Sequence, residues 1–277
     1  MSGVLERTLG ILELLCQHGE GLELGAIAER LNIPRSGTHR LLSDLVKCGY
    51  VRQTREHGDY LLSTKLVSMG LSYLSASGIV DIAQPLLNQL AERSGELARL
   101  SVADGERLTW VARAQGARQG LRYDPDMGSD ARLSCSSSGW AWLSTLDDDA
   151  AIACLARQGL GLPQDFGPNA PASLKAALQR VQATRKRGYS VTVDTYSLGL
   201  SALSAPVALA GQVAMGVLTI AGPTVRLTEE RMHALAPDLV GVAAQLAAAS
   251  SASPFFAKTA AQGAAGAPVG RTPIYAP

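Results

Sequence analysis

Few residues of this 277-residue sequence are of the types that build disulfide, metal or redox centres. The four cysteines are far apart and form no CxxC pair: Cys16, Cys48, Cys135 and Cys154. Such spacing favours free thiols in a reducing compartment over a disulfide framework. The four histidines show neither HxxxH nor HExxH spacing: His18, His39, His57 and His233. We therefore expect no metal site and no cofactor.

Charged residues and long apolar runs are also scarce, and both shortages limit the classes of protein to which the chain can belong. Charged residues make up 18% of the chain, hydrophobic residues 47%, and the formal net charge is +1. Such a chain buries a sizeable core, in two domains at this length, and its overall charge favours no particular partner. No run of about 18 apolar residues with basic flanks is present. The opening segment carries Glu6, Arg7 and Glu13, which excludes a signal peptide there. We expect a cytoplasmic protein without a membrane partner.

Residues 1–62 carry the pattern of a small helical module. Apolar residues recur at three- and four-residue spacing over 4–16, and a second, shorter helix is predicted over 24–31. Asn32-Ile33-Pro34 then ends one helix and starts the next, because proline cannot continue a helix but suits its beginning. A third helix is predicted from about Arg35 to Lys47. Two helices joined by such a short turn form a helix-turn-helix.

A hairpin follows the third helix and completes a winged helix-turn-helix. Residues 50–54 and 60–62 have β character and flank a turn around His57-Gly58-Asp59. Residues 30–55 contain six basic residues and one acidic residue, an excess that suits an anionic partner or a solvated surface. We assign the following residues to contact with DNA bases and phosphates: Arg35, Ser36, Gly37, Thr38, His39, Arg40, Ser43, Arg52 and Arg55.

The remaining chain divides into a connecting helix, a larger domain and a tail. We expect a linker helix over 63–78 that also contributes to dimerisation, with a simple core helix as the alternative. From 79 to 250, strand pairs beside segregated helices predict an α+β domain with a mainly antiparallel sheet. Residues 251–277 are rich in Ala, which predicts a poorly ordered tail. The strands are predicted at Leu97–Val102, Arg107–Ala114, Leu121–Tyr123, Ser190–Val193, Ser201–Leu209 and Val213–Ile220.

Several sequence blocks, in this order, resemble the IclR family of bacterial transcription regulators over about residues 4–248. The first unit carries LERTLGILELL, LGAIAERLNIPRSGTHRLLSDLVKCGYV and YLLSTKLVSMG. The second adds LSVADGERLTWVARAQ, SSSGWAWLSTL, TRKRGYSVTVDTYSLGLSALSAPV and VLTIAGPTVRLTEERMHALAPDLVGVAAQLA. The resemblance implies a winged-helix DNA-binding domain joined to a GAF/PAS-like domain that binds a small-molecule effector. It also implies a homodimer, or a dimer of dimers, on double-stranded DNA with a palindromic operator.

The chain departs from the family pattern where the effector cavity is expected. Arg132-Leu133-Ser134 stands in place of Pro-Leu-His, and Gly139-Trp140-Ala141 in place of Gly-Lys-Ala. Ala202 occupies a position where many members carry cysteine, and the acidic residues common before it are reduced to Asp194. These changes leave the fold expectation intact and leave the identity of the effector open.

The effector is expected to bind between a Ser-rich loop and the segment 192–202. Residues 133–139 lead into a helix, so their hydroxyls and free backbone N–H groups suit a carboxylate. Asp194 is placed to accept from a ligand hydroxyl, and the nearby apolar residues favour an aromatic acid. The alternative is a Ser-rich helix cap without a ligand. The residues assigned to effector binding are Tyr123, Met127, Ala131, Ser136, Ser137, Ser138, Gly139, Thr192, Asp194, Leu200 and Ala202.

Two other functions are alternatives to a DNA-binding regulator: an enzyme and a protein-binding module. An enzyme could use Cys135 or the adjacent serines as nucleophile, but a nucleophile needs a base, and the histidines lie far away in sequence. The chain also lacks G-x-S-x-G, P-loop and G-x-G-x-x-G motifs. A winged helix can alternatively bind protein instead of DNA. The sequence favours a regulator without catalytic activity, whose effector shifts the dimer geometry and thereby operator binding.

Overall fold

The computed structural model of the chain describes residues 3–54, 58–77, 79–123 and 128–249. The chain divides into two compact units, Met1–Ala76 and Ser77–Pro277. Three of the predictions above lie outside the described residues: the DNA contact by Arg55, the effector contact by Met127 and the tail 251–277.

The first unit is a three-helix module with a two-stranded wing and one following helix. Its elements are α1 (Val4–Cys16), α2 (Leu24–Arg30), α3 (Arg35–Lys47), β1 (Val51–Gln53), β2 (Tyr60–Leu62) and α4 (Thr64–Ser77). The α2–α3 turn closes with Asn32 in the left-handed conformation at a φ of 50°, which asparagine tolerates better than most residues. β1 and β2 pair antiparallel, with Arg52 opposite Leu61. The predicted winged helix-turn-helix is confirmed.

The apolar faces of these elements meet in one small core. Ile11, Ile27 and Leu42 are fully buried at its centre, one from each of the first three helices. Complete burial of such a side chain contributes about 1.5–3 kcal/mol, so helices this short depend on one another for stability. The wing joins the same core through Val51 and Tyr60.

The second unit is an α+β domain built on one antiparallel sheet. Its strands are β3 (Leu97–Asp104), β4 (Arg107–Gln115), β5 (Ser190–Val193), β6 (Leu200–Val207) and β7 (Gly216–Pro223), in the order β4-β3-β7-β6-β5. Its helices are α5 (Ile79–Ser94), α6 (Ser137–Leu143), α7 (Asp148–Gln158), α8 (Leu174–Arg187) and α9 (Glu229–Ala249), with a 3-10 turn at Pro163–Asp165. The predicted architecture is confirmed.

One predicted strand of this domain is wrong. Leu121–Tyr123 is not a strand in the structure. Two side chains, rather than a neighbouring strand, bind its backbone: Arg226 donates to the Leu121 carbonyl at 2.7 Å and Gln115 to the Tyr123 carbonyl at 3.0 Å. The sequence of a tripeptide with β character is the same whether a neighbouring strand or a side chain binds its backbone groups. Its pattern therefore could not distinguish the two cases.

The sheet separates two apolar layers. On one side Ala98, Leu100 and Leu218 face α5 and α9. On the other side Val217 packs in a cluster with residues of α6, α7 and α8. Among the described residues, α9 is the one helix long and apolar enough to cross a membrane, but Met232, Leu239 and Leu246 are fully buried in the domain core. A helix that buries such a stripe against a sheet is typical of a globular core.

The strand register also builds a row of polar residues across this apolar sheet. One residue from each strand lies directly opposite the next: Arg113, Arg99, Thr219, Ser204 and Ser190, from β4 to β5. Residues directly opposite one another in antiparallel strands project to the same face. Four members of the row are buried, and this polar line marks the position of the pocket described next.

Candidate functional site

Helix α3 presents a polar, basic surface at its first two turns. Arg35, Ser36, His39 and Arg40 are exposed there, whereas Gly37 and Ser43 are half-buried. The Ser43 hydroxyl donates to the backbone carbonyl of His39 at 2.8 Å, and Arg52 is exposed on the wing. Pro34 precedes the helix without a side-chain cap, so the N–H groups of its first turn have no intrahelical partner. Cations beside such groups suit a phosphate.

Thr38 is a correction to the predicted set of DNA contacts. Its side chain is fully buried on the same side of α3 as Leu41, Leu42 and Leu45. Its hydroxyl donates to the Pro34 carbonyl at 3.3 Å. A side chain that faces the core cannot reach a base or a phosphate, so Thr38 supports the helix instead.

Helix α4 exposes apolar side chains on its described surface. Val67, Met69, Leu71 and Tyr73 are between 51% and 61% exposed. On α1, Val4 and Leu5 are similarly exposed. These values do not fit the alternative in which α4 is a core helix of the unit.

The second unit contains a pocket between the polar row of the sheet and the loop that leads into α6. The pocket encloses about 360 Å³ of space not filled by atoms, part of it open to solvent. The lining residues are Arg99, Trp110, Tyr123, Ser136, Ser137, Ser138, Thr192, Tyr196, Leu200, Ala202, Thr219 and Ala221.

Arg99, on β3, is the charged residue among the described residues that line this pocket. The residue is only 3% exposed, and its Nε and Nη1 atoms have no hydrogen-bond partner among the described residues. The guanidinium carbon lies 4.1 Å from the centre of the Trp110 ring and 5.5 Å from that of Tyr123. Buried donors of a cation that have no partner among the described residues are costly, and they suit a ligand with negative charge.

Burial also shifts the pKa values of Arg99 and Tyr123 in the pocket. Burial lowers the pKa of Arg99 below its ordinary value, while the facing Tyr123 acts in the opposite direction. Arginine remains protonated in proteins despite such shifts, so the guanidinium stays cationic. Burial likewise raises the pKa of the Tyr123 phenol, although the cation of Arg99 partly offsets that effect. The phenol therefore stays neutral at physiological pH and can donate or accept a hydrogen bond.

The serine hydroxyls, which the sequence assigns to an anion cradle, already have partners within the protein. The Ser136 hydroxyl accepts from the Gly139 N–H at 3.0 Å and caps α6. The Ser137 and Ser190 hydroxyls lie 2.6 Å apart, and those of Ser138 and Thr219 lie 3.2 Å apart. The hydroxyls can supply secondary contacts to a ligand, whereas the positive charge comes from the sheet on the opposite wall.

Asp194 has a structural role that differs from the predicted ligand contact. Its backbone is left-handed, with a φ of 53°, and its Oδ1 atom accepts from the Gly199 N–H at 2.7 Å. The same atom accepts from the Thr224 hydroxyl at 3.4 Å. The carboxylate therefore holds the turn after β5 and does not line the pocket. The neighbouring Tyr196 lines it instead, a residue that the sequence analysis missed.

Two further predicted effector residues pack away from the pocket. Ala131 is fully buried in the apolar cluster beneath α6 to α8. Gly139 lies so close to the Leu133 backbone that a Cβ atom there would be 2.6 Å from the Leu133 Cα. Both residues therefore shape the layer beside the pocket rather than contact its contents. The predicted residues that line the pocket are Tyr123, Ser136, Ser137, Ser138, Thr192, Leu200 and Ala202.

Arg99, Trp110 and Thr219 were also missed by sequence reasoning. Arg99 lies in the apolar strand LARLSVAD, and seven of the eight residues of that strand are buried. A single arginine within an otherwise apolar central strand is a usable signal, because arginine is almost never fully buried unless paired. Trp110 lies on β4, the next strand along the chain, and its pairing with β3 follows from the short turn between them. What the pattern cannot supply is the pairing of β3 with β7, which carries Thr219 and lies more than 100 residues away.

The environment of Cys135 disfavours nucleophilic catalysis. The residue is 1% exposed, and burial raises the pKa of its thiol to about 11. A reactive thiol instead has a lowered pKa and partial exposure. Among the described residues, no group of three or more His, Cys, Asp or Glu side chains could hold a metal ion.

The similarities to known proteins cover both units. Residues 71–248 match the family described as Bacterial transcriptional regulator IclR C-terminal, and residues 4–55 match the IclR helix-turn-helix domain. The acetate operon repressor of Salmonella typhimurium is 29% identical over 243 residues, which cover 87% of this chain and 88% of the repressor.

Solved structures give the same fold. An IclR transcriptional regulator from Alicyclobacillus acidocaldarius superposes with a TM-score of 0.77 at 23% identity, over 90% of this chain and 99% of the other. An IclR homologue from Microbacterium hydrocarbonoxydans, complexed with 4-hydroxybenzoate, gives a TM-score of 0.73 at 20% identity, over 89% and 100%.

Proposed function

Because the chain belongs to the IclR family and is thus a DNA-binding transcriptional regulator modulated by a metabolite, we propose that its effector is a small organic acid. The acid binds in the pocket of the second unit with its carboxylate at Arg99. An aromatic acid is the preferred class.

The buried guanidinium of Arg99 carries this proposal. Its unpaired Nε and Nη1 atoms are donors, and the Nε1 atom of Trp110, which also lines the pocket, is a third buried donor without a partner among the described residues. Donors alone call for a ligand that accepts. A carboxylate fits best, because charge-assisted hydrogen bonds to arginine are short and strong, and a neutral ligand would leave the cation uncompensated.

The rest of the lining supports an aromatic skeleton. The rings of Trp110, Tyr123 and Tyr196 offer flat apolar surface, and Leu200 and Ala202 extend it. Aromatic rings pair favourably in offset or edge-on arrangements. The structurally similar homologue complexed with 4-hydroxybenzoate supports the same class for this chain.

The first unit supplies the contact with DNA. In our proposal α3 lies in the major groove, where Arg35, Ser36, His39 and Arg40 reach base edges and phosphates, while Arg52 approaches the backbone from the wing. The exposed apolar side of α4 serves a homodimer or a dimer of dimers. Two copies of α3 then meet half-sites of a palindromic operator about one helical turn apart.

Regulation follows from a shift between dimer geometries. An effector that binds one geometry more tightly changes the half-site spacing that the two copies of α3 present, a coupling typically worth about 1–3 kcal/mol. The protein acts in the cytoplasm without a cofactor and without catalysis of its own, in keeping with the buried, weakly acidic thiol of Cys135.

Thermal-shift and DNA-binding measurements on the full chain test the proposal. Benzoate and 4-hydroxybenzoate are compared with their amides, which have the same shape without the charge. We expect the acids to raise the melting temperature and to change the affinity for the promoter region of the protein's own gene. Equal effects of acid and amide, or binding of the acids undiminished by Arg99→Met, would overturn the proposal.

A further inference from the structure

A short segment beside the pocket is held in place by side chains from elsewhere in the domain. Arg226 Nη1 donates to the Leu121 carbonyl at 2.7 Å, and Gln115 Nε2 donates to the Tyr123 carbonyl at 3.0 Å. Since 121–123 is not a strand, these contacts fix a segment that has no strand ladder of its own. The same segment carries the Tyr123 ring that faces the Arg99 guanidinium at 5.5 Å.

Arg226 is itself fixed by a buried carboxylate. Its Nε and Nη2 atoms donate to the two oxygens of Glu96 at 2.8 and 2.9 Å, and Glu96 is only 2% exposed. A Cβ atom at Gly222 would lie 2.4 Å from Glu96 Oε2, so the carboxylate packs directly on the β7 backbone. This bidentate pair orients the planar guanidinium, and its remaining amino group is directed at Leu121.

Building on the proposed function, we propose that Arg226 is a positioning residue for effector recognition. By holding 121–123, it keeps Tyr123 over the buried guanidinium of Arg99. The ring excludes water from the cation, and charge interactions strengthen when water is excluded. Arg226 does not line the pocket, so it acts through Tyr123 rather than by contact with the effector.

Arg226→Lys tests this role in the full-length protein. Lysine keeps a cation for the buried Glu96, but its single ammonium group cannot reproduce the planar fork that serves Glu96 and Leu121 together. By calorimetry, we expect benzoate to bind about three- to tenfold more weakly, in the usual range for coupled neighbours. In a Tyr123→Ala background the same substitution should have no further effect. Additive losses in the double variant would overturn the proposal.

Arg93→Gln is the matched control. Arg93 pairs with Asp238 at 2.9 Å, which ties α5 to α9 without contact to 121–123. We expect this variant to bind benzoate as the wild type does. An equal loss of affinity in Arg93→Gln and Arg226→Lys would assign the effect to general loosening of the domain and would also overturn the proposal.

Hydrogen exchange in the absence of any ligand separates this inference from the proposed function. Peptides that cover 117–123 should exchange at least several-fold faster in Arg226→Lys than in the wild type or in Arg93→Gln, while peptides from β7 stay protected. Unchanged exchange in Arg226→Lys refutes the positioning role even if benzoate binds. If benzoate fails to bind the wild type but exchange accelerates as expected, the choice of effector is wrong and the positioning role stands.

Discussion

The guanidinium of Arg99 stacks on the Trp110 ring at 4.1 Å, so one face of a buried cation is covered, while its Nε and Nη1 atoms have no hydrogen-bond partner among the described residues. Stacking recovers only part of the cost of burial, about 0.5–2 kcal/mol. In our proposal the carboxylate of the effector supplies the partner that this cation lacks among the described residues. Stability and ligand recognition are in conflict at this residue.

This conflict predicts opposite effects of Arg99→Met on stability and on binding. Methionine fills a similar volume without a charge, so the ligand-free protein should gain about 1–3 kcal/mol of unfolding free energy. Benzoate binding should fall by at least about 100-fold, because its charged hydrogen bonds are lost. Urea unfolding with and without benzoate measures both quantities. A destabilised variant would show that Arg99 has a structural partner.

The exposed arginines of α3 are expected to control DNA affinity without affecting the fold. The Arg35→Ala/Arg40→Ala variant should lose specific operator binding, and the slope of log affinity against log salt should fall by about 1 for each phosphate contact removed. Fluorescence anisotropy at several salt concentrations gives the slope, and thermal unfolding verifies the fold. An unchanged slope would exclude phosphate contacts by these two residues.

Thr38 and Ser36 give a matched pair that separates core from surface on the same helix. Thr38→Ala should cost about 1–2 kcal/mol of stability, because the buried side chain packs and its hydroxyl is bonded. Ser36→Ala should change stability by less than about 0.5 kcal/mol and should weaken DNA binding instead. Chemical denaturation and anisotropy distinguish them. The reverse pattern would return Thr38 to the DNA surface.

Gly139 is expected to tolerate no side chain, in contrast to a second helical glycine. At Gly139 a Cβ atom would clash with the Leu133 backbone, so Gly139→Ala should cost about 1–3 kcal/mol or more. At Gly241 in α9 a Cβ atom would meet nothing within 4 Å, and Gly241→Ala should gain about 0.5–1 kcal/mol from helix propensity. Thermal unfolding of both variants checks the contrast, and equal effects would argue against the close approach.

Thiol reactivity should sort the cysteines by burial. At pH 8 a thiol reagent should modify the exposed Cys16 and Cys48 in the native protein, whereas the buried Cys135 and Cys154 should react only after unfolding. The folded thiol of Cys135 ionises near pH 11 instead of the ordinary 9.0. Its contribution to the free energy of unfolding is fully present below pH 9.0, where the thiol is protonated in both the folded and the unfolded chain. That contribution is lost as the pH rises toward 11, because the unfolded chain releases its proton first. Rapid native labelling of Cys135 would contradict its buried position.

The helical module could be predicted closely because local signals fix it. Apolar periodicity, Pro34 and the hairpin residues all act within a few positions of one another, and the observed α3 has the predicted bounds. The pocket was predictable only in part. Residues of the Ser-rich loop were identified by their hydroxyl content, and Thr192 by its place in the segment 192–202 expected opposite that loop. Arg99 and Thr219 meet there through pairing of strands more than 100 residues apart, which no local pattern encodes.

The polar row across the sheet separates the side chains that line the pocket from the backbone ladder that builds the domain. Arg99 and Thr219 border the pocket, and the Ser204 hydroxyl lies 2.8 Å behind that of Thr219. Each position belongs to a different strand, and backbone hydrogen bonds hold the strands together. Substitution of one side chain therefore changes one chemical group of the pocket and leaves the sheet intact. In our proposal, single substitutions in this row change which metabolite the pocket binds. The row is therefore the place to begin when a biosensor is built from this protein.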